Sequence, residues 1–132
     1  AHTAEACDDR LKPQAALLAT ALQDVQAMVG TVIGYLMGAS ERPEEIYKVG
    51  LVSVRLLLAV GDLVIGWRLL EQARVAHAAL ETEPSHPDAA FYEGKIATAA
   101  FFAANMLPPL SALRTIIEQV DTEIMALPEA AF

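Results

Sequence analysis

Residues 49–70 read VGLVSVRLLLAVGDLVIGWRLL, and this stretch decides the fold. Its only charges are Arg55, Asp62 and Arg68. Apolar and polar residues do not alternate over any length, so a half-buried strand is excluded and a helix is expected. Lys48, Arg55 and Asp62 recur every seven residues, which lines them up as one narrow stripe. Nearly every other direction is Val, Leu, Ile, Trp, Gly or Ala. A helix apolar almost all round is buried on more than one side. The pattern starts after Ser40-Glu41-Arg42-Pro43, with Pro43 suited to a first turn and Glu44 and Glu45 to the positive helix end. It continues to about residue 83, where Pro84 stops it, giving a spine of roughly 60 Å at about 1.5 Å per residue. Gly61 and Gly66 are its candidate kink points.

Upstream, residues 13–38 form a second helical block. Leu18, Leu22, Val25, Val29, Val32 and Leu36 recur at three- and four-residue steps, while Gln14, Thr20, Gln23, Asp24 and Thr31 fall largely elsewhere on the wheel. Asp8 or Asp9 is the expected cap, and Pro13 fits the first turn. Gly30, Gly34 and Gly38 share a face; each costs about 1 kcal/mol of helix propensity, which suits a place where another backbone packs closely. Gly38 also suits a C-cap. Downstream, Ser85-His86-Pro87-Asp88 is a short linker, and residues 88–105 form a third block with many small side chains. Pro108 and Pro109 then start a new helix or kink a long one, which runs to about residue 125 and ends before Pro128. Short connections make neighbours antiparallel. The expected fold is all-α: an up-and-down antiparallel bundle of three long helices, or four if the last breaks at Pro108-Pro109. Residues 1–12 are expected to be a flexible N-terminal segment, and 13–132 one domain.

Apolar residues make up 55% of the 132, against a usual 45–50% or so, and the net charge is −8. Nine scattered basic residues give no cluster for nucleic acid phosphates and no polybasic run for an anionic membrane. Arg55 and Asp62 would together cost about 5–7 kcal/mol inside a bilayer, so no membrane span is expected. Cys7 is the single cysteine; with Asp8 and Asp9 beside it, it is expected to be an unreactive thiol. A cytoplasmic location is the expectation, since no disulfide framework and no signal-peptide pattern are present. The chain opens on Ala1 without Met, which suits an excised segment.

A search for chemistry finds no converging set. His2, His77 and His86 are far apart, with no His-x-x-x-His or Glu-x-x-His pair to hold a metal. Ser53 and Ser111 have no neighbouring base and no nucleophile-elbow context. Glu93-Gly94-Lys95 reads as solvated helix charges around a packing glycine. No residue is assigned to catalysis, cofactor binding or a metal. Arg55 and Asp62 are about 10.5 Å apart along the axis, too far to pair, so each is expected to meet a partner from another helix or domain. Trp67, the only tryptophan, is the expected core or interface anchor.

The stretches Tyr47-Lys48-Val49-Gly50-Leu51 and 55–67, Phe91-Tyr92-Glu93-Gly94-Lys95-Ile96-Ala97, Phe101-Phe102-Ala103, Leu107-Pro108 and 125–132 resemble, in order and spacing, the helical C-terminal extension of bacterial acyl-CoA dehydrogenases. Pro109 and Ser111 depart from the commoner pattern. The resemblance spans about residues 13–132. It implies a larger parent that binds FAD and oxidises an acyl-CoA thioester to the 2,3-enoyl-CoA, with the catalytic glutamate, flavin site and acyl-CoA pocket upstream. No position here matches those sites. The implied partners are the catalytic domains of the parent chain and, in a homo-oligomer, further subunits. A stand-alone protein- or lipid-interaction module is the alternative.

Overall fold

The computed structural model describes residues 9–132. Its elements are α1 (Lys12–Gly38), α2 (Glu45–Thr82), α3 (Ala89–Met106) and α4 (Pro109–Glu118), then 3-10 turns at Glu123–Ala126 and Glu129–Ala131. No strand occurs among the described residues, and the all-α bundle is the fold. Residues 24 and 35 of α1 meet residues 111 and 117 of α4, in ascending order. Residues 66 and 72 of α2 meet residues 107 and 95, in descending order. So α1 runs up, α2 down, and α3 with α4 up again beside α1.

Two core clusters hold these three strokes together. One joins Val25 and Met28 of α1, Val52 and Ala59 of α2, and Leu107, Leu110 and Ile117. The other joins Leu11, Leu70, Ala73, Ala76, Ile96 and Ala99. Small side chains dominate the α2–α3 seam, which lets two helices approach closely over their length. Gly66 is the most closely approached of the described glycines: a Cβ there would lie 3.2 Å from Leu107 Cδ2. The role expected of glycine is found at this position and not at Gly30 or Gly34, whose missing side chains face open space.

Several boundaries differ from the sequence reading. Leu11 is only 1% exposed and packs into the core, while Asp9, Arg10 and Lys12 are exposed; residues 1–8, with Cys7, Asp8 and His2, lie outside the described residues. The N-cap of α1 is Leu11 with no side-chain bond, and Asp9 pairs with Lys12 instead of capping. Gly38 is the last residue of α1, with Ala39 as its cap. Pro43 and Glu44 form a turn before α2, which then runs 38 residues as one helix through Gly61 and Gly66.

At the proline pair the dihedral angles of Leu107 and Pro108 stay helical. Without two N–H donors the regular ladder lapses, and Leu110 and Ser111 bond to the third residue back. The last helix therefore breaks, and the bundle counts four. It stops at Glu118, short of 125, with Gln119 as its C-cap; just beyond, the Asp121 carboxylate accepts the Glu123 N–H at 3.0 Å and turns the chain.

By length and composition alone, Lys12–Gly38, Glu45–Thr82 and Ala89–Ala126 are each sufficient to cross a membrane. The expectation of no span therefore rests on the cost of the charges in α2, not on helix length.

Candidate docking surface

The α2 helix buries Glu45, Val52, Ala59, Gly66 and Ala73, spaced by seven, with Leu70 and Ala76 joining toward its C-terminal end. A seven-residue repeat marks one line along the helix. That line and the flanking Leu56, Leu63 and Leu69 face the bundle. On the far side stand Val54, Leu57, Leu58 and Ile65, and Trp67 lies at the margin; all five are 48–70% exposed. Gly50 and Gly61 lie among them with open space over their Cα atoms. The neighbouring helix α1 adds Ile33, Leu36 and Met37, also exposed. So many large apolar side chains exposed along one side of α2 suit an interaction site.

Trp67 is not a core anchor. It borders a shallow apolar groove of about 270 Å³ with Leu18, Leu22, Leu63 and Val64. The Arg68 guanidinium lies 5.5 Å from its ring centre. Arg55 is exposed and Asp62 half-buried, and neither has an ion-pair or hydrogen-bond partner among the described residues. The bundle thus supplies no partner for these two charges. Lys48, third in the stripe, is satisfied locally by Glu45 at 3.0 Å and by the Tyr35 ring at 5.0 Å.

Two polar clusters escape a sequence reading. Asp24 falls away from the apolar stripe of α1 on the wheel, yet it is 7% exposed. Its carboxylate accepts the Ser111 hydroxyl at 2.6 Å and a guanidinium N–H of Arg114 at 3.4 Å. Arg114 Nε also donates to Glu118 at 2.7 Å, and these bonds hold its charge firmly, raising its pKa. The signal was present: Ala21, Asp24, Val25 and Met28 follow the i, i+3, i+4, i+7 pattern of one buried face. The second cluster centres on Tyr35, whose hydroxyl donates to the Ile117 carbonyl at 2.8 Å. Partial burial pushes that hydroxyl above its ordinary range, with Lys48 opposing and Glu45 and Glu118 adding.

These clusters are structural in character. Ser111 reaches a carboxylate but no imidazole, so the base–nucleophile relay of acyl transfer is not formed. His77 faces Glu81 at 3.6 Å, and His86 accepts the Asp88 N–H at 3.0 Å. No group of three metal-ligating side chains converges among the described residues. Gly94 is open on its outer side, so it is not a packing glycine; Glu93 beside it pairs with Arg10. Among the described residues no strand leads into a glycine-rich loop that would cradle a pyrophosphate.

The geometry defines a helical bundle with an unmet apolar face. Residues 1–128 match the family model described as acetyl-CoA dehydrogenase C-terminal like, and the chain belongs to that family. It is 54% identical, over 93% of its own length, to the C-terminal region of the broad-specificity linear acyl-CoA dehydrogenase FadE5 of Mycobacterium tuberculosis, of which it covers 20%. Two butyryl-CoA dehydrogenases of Syntrophomonas wolfei are 38% and 32% identical over 64% and 61% of the chain, which covers 14% and 13% of them. The chain therefore spans a fifth or less of the length of these relatives.

Proposed function

We propose that this chain is a non-catalytic domain of a cytoplasmic, FAD-dependent acyl-CoA dehydrogenase, and that it docks on the catalytic domains of its parent and helps assemble the homo-oligomer. The parent oxidises acyl-CoA to 2,3-enoyl-CoA, and FAD and the catalytic base are held by residues outside this chain. The far side of α2 is the observation that carries this reading. Burying a Leu or Val side chain fully contributes about 1.5–3 kcal/mol, so the exposed row along α2 supplies ample drive for an interface between domains. Arg55 and Asp62 meet their partners, and Trp67 anchors, at that contact.

The test is Leu57→Glu with Leu58→Glu in the full-length protein. Oligomeric state is followed by light scattering, and turnover by flavin reduction with acyl-CoA. The expected result is lost assembly, with the helical content of this segment retained. Unchanged assembly and turnover would overturn the proposal.

A second reading follows from the three stretches long and apolar enough to cross a membrane. In it the same face lies on a lipid surface. Co-sedimentation of the full-length protein with neutral phosphatidylcholine vesicles, lost in the double variant while its subunit assembly is kept, would favour that reading.

A further inference from the structure

We propose that the groove between α2 and α3 binds a phosphorylated purine nucleotide. The groove has a volume of about 420 Å³, and its walls include Arg68, Gln72 and Val75 of α2 and Phe91, Tyr92 and Lys95 of α3. This inference stands on the groove itself and does not require the parent's reaction to be known.

The first observation is the distribution of charge. Six of the nine basic residues are held by carboxylates: Arg10 by Glu93, Lys12 by Asp9, Arg42 and Lys48 by Glu45, Arg74 by Glu71, and Arg114 by Asp24 and Glu118. Arg55, Arg68 and Lys95 have no carboxylate partner among the described residues. Two of these three line the same groove. Its one carboxylate, Glu71, is already engaged by Arg74 at 3.0 Å. A chain of net charge −8 thus keeps a local concentration of unneutralised positive charge here, and at physiological salt the distant carboxylates are screened beyond about 8 Å.

The second observation is aromatic. Phe91 is 61% exposed on the groove, with Tyr92 edge-on to it at 6.0 Å between centroids. Lys95 Nζ lies 5.2 Å from the Phe91 ring centre, and Arg68 lies against Trp67. The exposed Phe91 ring, with the Lys95 ammonium over one face and the Arg68 guanidinium in the same groove, matches a ligand that is flat at one end and polyanionic at the other. The base stacks on the ring, and the phosphates take the charge-assisted bonds. Gln72 accepts from Lys95 through Oε1 at 3.2 Å, so its amide N–H groups remain available to an acceptor on the ligand.

The experiment uses the full-length protein with its cofactor bound, titrated calorimetrically with adenosine 3′,5′-bisphosphate. The Arg68→Gln/Lys95→Gln variant and Phe91→Ala are compared with the parent sequence. Arg68 and Phe91 are exposed and Lys95 is half-buried, and circular dichroism checks that the helices are kept. The expected result is one bisphosphate site per subunit weakened at least tenfold in the double variant and several-fold in Phe91→Ala, with adenosine itself binding weakly throughout. An unchanged titration in the double variant overturns the proposal. So does a double variant that changes only the assembly state, since the groove would then be a protein contact.

Two sources of the ligand are separated by kinetics. If it is the nucleotide end of an acyl-CoA, the double variant raises KM for an acyl-CoA several-fold at constant kcat and leaves KM for the matching acyl-pantetheine unchanged. If it is a free nucleotide, both KM values stay the same while the bisphosphate site is lost. Absence of any acyl-CoA turnover in the parent sequence would sink the proposed dehydrogenase function and leave the nucleotide titration to stand or fall by itself.

Discussion

The Asp24 carboxylate, buried on α1, accepts the Ser111 hydroxyl at 2.6 Å from the first turn of α4. This bond crosses the bundle just after the proline pair, where the backbone ladder is broken. It fixes the register of α4 on α1 at the place where the helix itself cannot. Ser111→Ala is expected to destabilise the domain by about 1–2 kcal/mol, because a buried carboxylate loses a charge-assisted bond. Asp24→Ala should cost more, about 2–3 kcal/mol, because the Arg114 contact goes as well. Urea unfolding measures both, and losses below a few tenths of a kcal/mol would show that the bond carries no stability.

Gly61 and Gly66 are expected to respond oppositely to an added side chain. At Gly61 a new Cβ meets nothing, so Gly61→Ala should stabilise the separate domain by about 0.5–1 kcal/mol through helix propensity. At Gly66 the Leu107 methyls lie 3.2 and 3.3 Å away, so Gly66→Leu should cost about 1–3 kcal/mol by overpacking. Thermal melts of the two variants should therefore move in opposite directions. In the full-length protein Gly61→Leu should instead weaken assembly, because Gly61 lies on the open face of α2.

Ile117 is fully buried in the central core and its carbonyl receives the Tyr35 hydroxyl. Ile117→Ala should cost about 2–5 kcal/mol, as for other aliphatic truncations in a core. Tyr35→Phe should cost less, about 0.5–1.5 kcal/mol, since it removes one hydrogen bond and keeps the ring. A larger loss for Tyr35→Phe than for Ile117→Ala in the same unfolding assay would refute this ranking.

Two pH limits follow from named groups. Hydrogen bonding from Arg10 holds the Glu93 carboxyl below its ordinary pKa of 4.5. Its contribution to stability is therefore present above pH 4.5 and lost as the pH falls through the lower folded value. Tyr35 is raised above 10.0, so its contribution is present below pH 10.0 and lost as the pH rises through the higher folded value. Glu93→Gln should flatten the acid limb of a stability–pH curve, and Tyr35→Phe the alkaline limb. A wild-type curve with both limbs already flat would contradict the two assignments.

Residues 49–70 by themselves determined that the chain is helical, that its longest helix is the spine, and that this helix carries more apolar surface than its neighbours need. Those conclusions follow from periodicity and from what each side chain prefers to leave in water, both of which are local properties. The break at Pro108-Pro109 was legible for the same reason, since proline lacks its donor wherever it stands. Only the tertiary structure decided which line of α2 turns inward and which glycine is pressed against a neighbour. It also decided that Asp24 is buried with Ser111 and that Arg68 and Lys95 share one groove. Each of these depends on the rotation of one helix against another, which is set by the sum of many small packing contacts across the bundle. No single stretch of sequence contains that sum.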